Sequence, residues 1–168
     1  MNIIDPIIQE YQQEMGATRK VLERVPDAHW GWKPHEKSMS MGQLASHLAE
    51  GQLWAIGTMK DDVWVMDMAA WKPFVGTSRA DVLAAFDKNV ADAVAAMTGA
   101  SNEHMMKTWS MKTPDGHTMM SMPRVAVIRG FVLNHTIHHR GQLTVYLRMK
   151  DVPLPQVYGP TADETAMG

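Results

Sequence analysis

Two histidines, His135 and His139, stand one helical turn apart inside an apolar pattern that runs from about 123 to 150. No other feature constrains the fold as strongly. Residues at i and i+4 share a helix face with β-carbons about 5–6 Å apart, so both imidazoles can converge on one point. Ile128, Phe131, Val132, His135, His139, Gln142 and Tyr146 trace that face at helical spacing. The polar members lie in register with a hydrophobic stripe. A core that accepts them must give them partners, because an unpaired buried polar group costs roughly 1–3 kcal/mol. A metal ion would satisfy two of them. A third histidine, His47, falls in Leu44-Ala45-Ser46-His47-Leu48 on a different predicted helix. Three histidines from two helices can form a three-nitrogen metal site with an open position, as a catalytic divalent ion requires. Spacing alone also admits hydrogen-bonded core histidines.

Three further helices are predicted. The first covers 3–25, with Ile4, Ile7, Ile8, Tyr11, Met15, Thr18, Leu22 and Val25 in one stripe and Pro26 ending it. The second starts at Ser38 or Ser40, either a suitable N-cap, and continues to about Lys60. Leu44, His47, Gly51 and Trp54 share a face of it. The third opens on Ser78, with Asp81 in its first turn, buries Val82, Phe86, Val90, Ala93 and Met97, and stops at Gly99. Between 101 and 122 a short helix and the turn Thr113-Pro114-Asp115-Gly116 predict a small irregular excursion. Pro123 then opens the fourth helix. The tail after Pro153 and Pro155 reads as irregular.

Other classes of function lack support. With 168 residues the chain makes a single domain, and a net charge of −2 with mixed signs gives no nucleic-acid-binding surface. No window approaches the roughly 18 apolar residues of a membrane span. No signal peptide is visible, so a cytoplasmic location is expected. The chain has no cysteine, which removes disulfides, a cysteine nucleophile and thiolate zinc sites. No G-x-S-x-G elbow, P-loop or G-x-G-x-x-G fingerprint occurs, and Thr136 breaks any H-E-x-x-H pattern. The 16 methionines read as adaptable core filling rather than a soft copper(I) site. The six tryptophans read as core and loop anchors, some of them able to line a pocket mouth. His29, His35, His104 and His117 read as exposed histidines.

The His47 context, the run His135-Thr136-Ile137-His138-His139-Arg140-Gly141-Gln142-Leu143 and the tail Tyr158-Gly159-Pro160-Thr161-Ala162-Asp163-Glu164 resemble the DinB/YfiT-like family of metal-binding four-helix proteins. The resemblance covers nearly the whole chain in element order, but its specific motifs are these three patches. It implies an all-α, four-helix bundle with a long crossover connection, one domain over 1–168, and frequent homodimers. It also implies a divalent metal, usually zinc or nickel, held by His47, His135 and His139. Characterised relatives include transferases and isomerases that use a low-molecular-weight thiol such as bacillithiol, mycothiol or glutathione. His138, about 100° round the helix from His139, is expected to point elsewhere. Arg140, off the inner stripe, is expected to pair with an acidic group. Glu50 and Gln142 each follow a proposed ligand by three residues and are candidates to orient a ligand or a metal-bound water.

The expected function is a metal-dependent transferase in which the three-histidine site activates a small thiol, or water, for attack on an electrophilic small molecule. A metal-dependent hydrolase and a non-enzymatic metal-binding or stress-related protein are the alternatives.

Overall fold

The computed structural model describes residues 2–165, and helices dominate it. Helix α1 (Ile4–Leu22) buries Ile4, Ile7, Tyr11, Met15, Thr18 and Leu22, the predicted stripe, while Ile8 is half-buried. Glu14 is buried in the same register. After a 3-10 turn (Asp27–His29), helix α2 (Met41–Glu50) starts at Ser40. The Ser40 hydroxyl accepts from the Gln43 N–H, and the Gln43 side chain accepts from the Ser40 N–H at 2.8 Å, a reciprocal cap that satisfies two orphan donors.

The second predicted helix does not run unbroken to Lys60. It divides into α2 and α3 (Leu53–Lys60) at Gly51 and Gln52. The buried Gln52 side chain takes the Leu48 carbonyl at 3.0 Å, and the backbone tightens to i→i−3 bonds from Trp54 to Gly51 and Ala55 to Gln52. The same side chain accepts from the Tyr11 hydroxyl at 2.9 Å and donates to Thr136 at 3.2 Å. One amide thus ties three helical columns together.

Helix α4 (Arg79–Met97) follows the sequence closely: Ser78 caps it, Val82, Phe86, Ala93 and Met97 are buried, Val90 is only half-buried, and Gly99 takes a left-handed φ of 78° just past the helix end. The excursion is more ordered than expected. Beyond α5 (Asn102–Met106) its two strands, β2 (Thr108–Lys112) and β3 (Thr118–Pro123), join β1 (Val63–Val65), which follows α3, in a three-stranded sheet of order β1-β2-β3, with β1 parallel to β2 and β2 antiparallel to β3. The predicted turn joins β2 to β3, with Gly116 at φ 89°. Trp109, on β2, is fully buried. Arg124, only 1 % exposed, donates to the Thr58 carbonyl at 2.8 Å and to Asp62 at 2.6 Å, fastening the end of β3 to the end of α3.

The fourth column comprises α6 (Arg124–Val127), a π-helical segment (Ile128–Asn134) and α7 (His135–Arg148). The wider π turn changes the phase of everything after it. The deeply buried residues are Ile128, Val132 and Leu133, then Thr136, Arg140, Leu143 and Leu147. Phe131 and Gln142 are exposed, and His135, His139 and Tyr146 are half-buried. The predicted inner face is therefore rotated: the histidines flank the core stripe, and Arg140 lies within it.

Helix α1 packs on α4 and α7, and α2 packs on the same two helices. The fold is the expected helical bundle with long crossover connections, carrying a small sheet at one end. The tail is irregular but tethered. Arg140 pairs with Glu14 at 2.7 Å and donates to the Tyr158 hydroxyl at 2.5 Å, which itself donates to Glu14 at 2.8 Å. Arg24 and Arg148 pair with Glu164 and Asp163.

Candidate metal centre

His47 projects from α2, while His135 and His139 occupy the first two turns of α7. The Nε2 atoms converge: His135 lies 3.4 Å from His47 and 2.9 Å from His139. The rings meet edge to face, with centroids 4.4–5.0 Å apart. All three donor nitrogens lie within 4.8 Å of one another.

Burial favours the uncharged form of each imidazole. It lowers the pKa of His47 and His139, and it lowers His135 to about 4 with help from the neighbouring histidines. Gln142 Oε1 lies 2.7 Å from His139 Nδ1. The amide oxygen only accepts, so Nδ1 carries the proton and Nε2 presents a lone pair to the cluster. Neutral imidazole nitrogens converging this closely need a proton or a cation between them. The donor set fits a metal ion of the borderline class. His47, His135 and His139 could therefore hold a metal ion.

The crossover segment is held against α2 beside this cluster. Ser46 accepts from the Gly76 N–H at 3.0 Å, and Glu50 Oε1 accepts from the Phe74 N–H at 2.9 Å. Burial raises the Glu50 pKa, and the Phe74 contact offsets part of that rise. Trp30 donates to the Gly76 carbonyl at 3.0 Å. A chamber of about 420 Å³ opens on His47 and His135, walled chiefly by tryptophan and methionine side chains. An adjoining recess of about 200 Å³ shares His47, Glu50 and Pro73 with it.

The structure thus brings together the three histidines read from the sequence, with Gln142 against His139 and Glu50 beside His47. His138 is exposed and outside the cluster, as expected. His35 and His117 are exposed, whereas His29 and His104 are half-buried, with the His104 ring 3.1 Å from the Met59 carbonyl. Methionine fills the core at Met15, Met41, Met97 and Met105, but Met66, Met68, Met111 and Met119 line the chamber. That wall was missed. The alternation in Thr108-Trp109-Ser110-Met111, answered across the turn by 118–123, was the signal for the hairpin that supplies Met111 and Met119.

Fold and site together define a helical bundle with an open three-histidine cluster at one end of an apolar chamber. The chain belongs to the DinB family, whose model matches residues 2–166. A curated relative, the uncharacterized protein YrdA of Bacillus subtilis strain 168, is 23% identical, with 97% of this chain and 92% of that protein covered. Among solved structures, a DinB-like protein from Bacillus cereus ATCC 10987 superposes with a TM-score of 0.70 at 20% identity, covering 89% of this chain and 94% of the other. The mycothiol-dependent maleylpyruvate isomerase superposes at 0.50 and 12% identity, covering 90% of this chain and 62% of that one.

Proposed function

We propose that the protein is a metal-dependent transferase that activates a low-molecular-weight thiol for attack on an electrophilic small molecule. The observation that carries this reading is the convergence of three imidazoles at the end of a chamber large enough for a substrate. DinB membership and the fold shared with a mycothiol-dependent isomerase support it. Zinc or nickel is the proposed ion.

Bound at His47, His135 and His139, such an ion supplies a Lewis acid that favours the deprotonated form of a thiol or of water. The chain's own residues do the rest. Gln142 holds His139 in the tautomer that offers Nε2. Glu50, facing both chamber and recess, orients the incoming nucleophile. The two adjoining spaces suit two reactants. Because the chain has no cysteine, the thiol is a cosubstrate. A homodimer in the cytoplasm completes the reading.

The test is turnover of an electrophile such as 1-chloro-2,4-dinitrobenzene with a panel of small thiols, in zinc- or nickel-loaded protein and its His47→Ala variant. Thiol-dependent turnover above the uncatalysed rate, lost in the variant, is the expected result. Turnover of esters or amides without thiol would replace the thiol by water as nucleophile. No turnover of either kind would leave a metal-binding protein without this chemistry.

A further inference from the structure

The histidines occupy one end of the chamber, and the rest of its wall determines what can lie beside them. Trp54, Trp64 and Trp71 with Met66, Met68, Met111 and Met119 form most of that wall. Trp54 and Trp64 meet at 60° with centroids 5.3 Å apart, and Trp54 lies nearly flat on Phe131 at 5.9 Å. Both indoles are thereby held by other rings rather than left to rotate. Among the described residues lining the chamber there is no lysine or arginine, and Glu50 is its acidic group. The adjoining recess also lacks a lysine or arginine.

Away from the histidines, an anionic molecule entering this space would lose hydration without gaining a lysine or arginine partner, and would approach the Glu50 carboxylate. A flat uncharged ring loses little on leaving water and gains edge-to-face or offset contacts with the indoles and contacts with the thioethers. The chamber's size, about 420 Å³, is that of a small-molecule site. If the open position at the histidines is reserved for the nucleophile, the second reactant must draw its binding energy from this wall.

We infer that the electrophilic substrate is an uncharged, flat aromatic molecule, selected by the tryptophan–methionine wall rather than by the metal. Its role as electrophile rests on the proposed function; its binding does not. The test is calorimetric titration of the full chain, stripped with chelator, against 1-naphthol and 1-naphthoate, a neutral and an anionic ligand of matched shape. One molecule of 1-naphthol should bind per chain, and 1-naphthoate at least about tenfold more weakly.

Met68 lines the chamber at 63 % exposure, so Met68→Lys adds a cation without disturbing the core. In that variant 1-naphthoate should come within about threefold of 1-naphthol, with the circular dichroism unchanged. Equal binding of the two ligands to the unaltered protein, no binding of 1-naphthol, or an unchanged preference in Met68→Lys would overturn the inference. Naphthol binding in a protein that takes up no zinc supports the chamber and overturns the metal reading. Zinc uptake without naphthol binding does the reverse.

Discussion

Replacing Glu14 by alanine should be among the most damaging single changes in the chain, although Glu14 touches no part of the histidine cluster. Its carboxylate lies 2.7 Å from Arg140, whose side chain is only 3 % exposed. Breaking a buried pair from one side leaves an uncompensated charge and costs about 3–5 kcal/mol. Three contacts soften the loss here. Arg140 still donates to the Glu14 backbone carbonyl at 3.1 Å, to Thr18 at 3.3 Å and to Tyr158 at 2.5 Å. The expected cost is therefore near the lower limit, about 3 kcal/mol. With a urea m-value of about 2 kcal/mol per molar, the midpoint falls by about 1.5 M. Urea titration at pH 7, followed by circular dichroism, measures this directly. The double variant Glu14→Leu with Arg140→Met removes both charges and should recover to within about 1 kcal/mol of the original, because an apolar pair of similar volume needs no partner. A Glu14→Ala midpoint within about 0.5 M of the unaltered protein would refute the claim that this pair holds α7 to α1. So would a double variant no better than the single one.

Gly42→Ala should destabilise by about 1–3 kcal/mol, read as a lowered melting temperature. A β-carbon there would collide with the Trp30 indole, displacing the ring whose N–H holds the Gly76 carbonyl. Hydrogen bonds from Lys107 and Arg124 hold the Asp62 carboxyl down at about 2, against about 3.9 in an unfolded chain. Its contribution is present above about pH 4 and is lost as the pH falls toward 2, so Asp62→Asn should flatten the melting temperature against pH across that interval. Gln142→Ala should weaken zinc binding by about 10–100-fold in competition with a chromophoric chelator while leaving the fold intact, since Gln142 is exposed and its contact is to His139.

The histidine cluster was legible because each half of it is local. His135 and His139 share a face by spacing, and His47 lies on a helix started by a recognisable serine cap. What the sequence concealed depends on distant partners. The pairing of β1 with β2 joins Val63 to Ser110, a contact no short window contains, and so β1 went unpredicted. The π segment leaves no compositional mark in 128–134, yet it turns the histidines to the flank and puts Thr136 and Arg140 into the core. The break at Gln52 likewise depends on Tyr11 and Thr136 being near. The buried ion pair was nearly visible. Glu14 follows Tyr11 by three residues and precedes Thr18 by four, and Arg140 follows Thr136 by four, so opposite charges stand at buried spacings in two helices.

The central claim is that His47, His135 and His139 act together as the ligands of one divalent ion. Its most direct test is the metal content of untagged protein by mass spectrometry after zinc or nickel reconstitution and desalting, beside the three single alanine variants. About one ion per chain, lost in each variant while helicity is retained, is the predicted result. No bound metal in the unaltered protein, or metal retained in all three variants, would contradict the account and leave the histidines as hydrogen-bonded residues flanking the core.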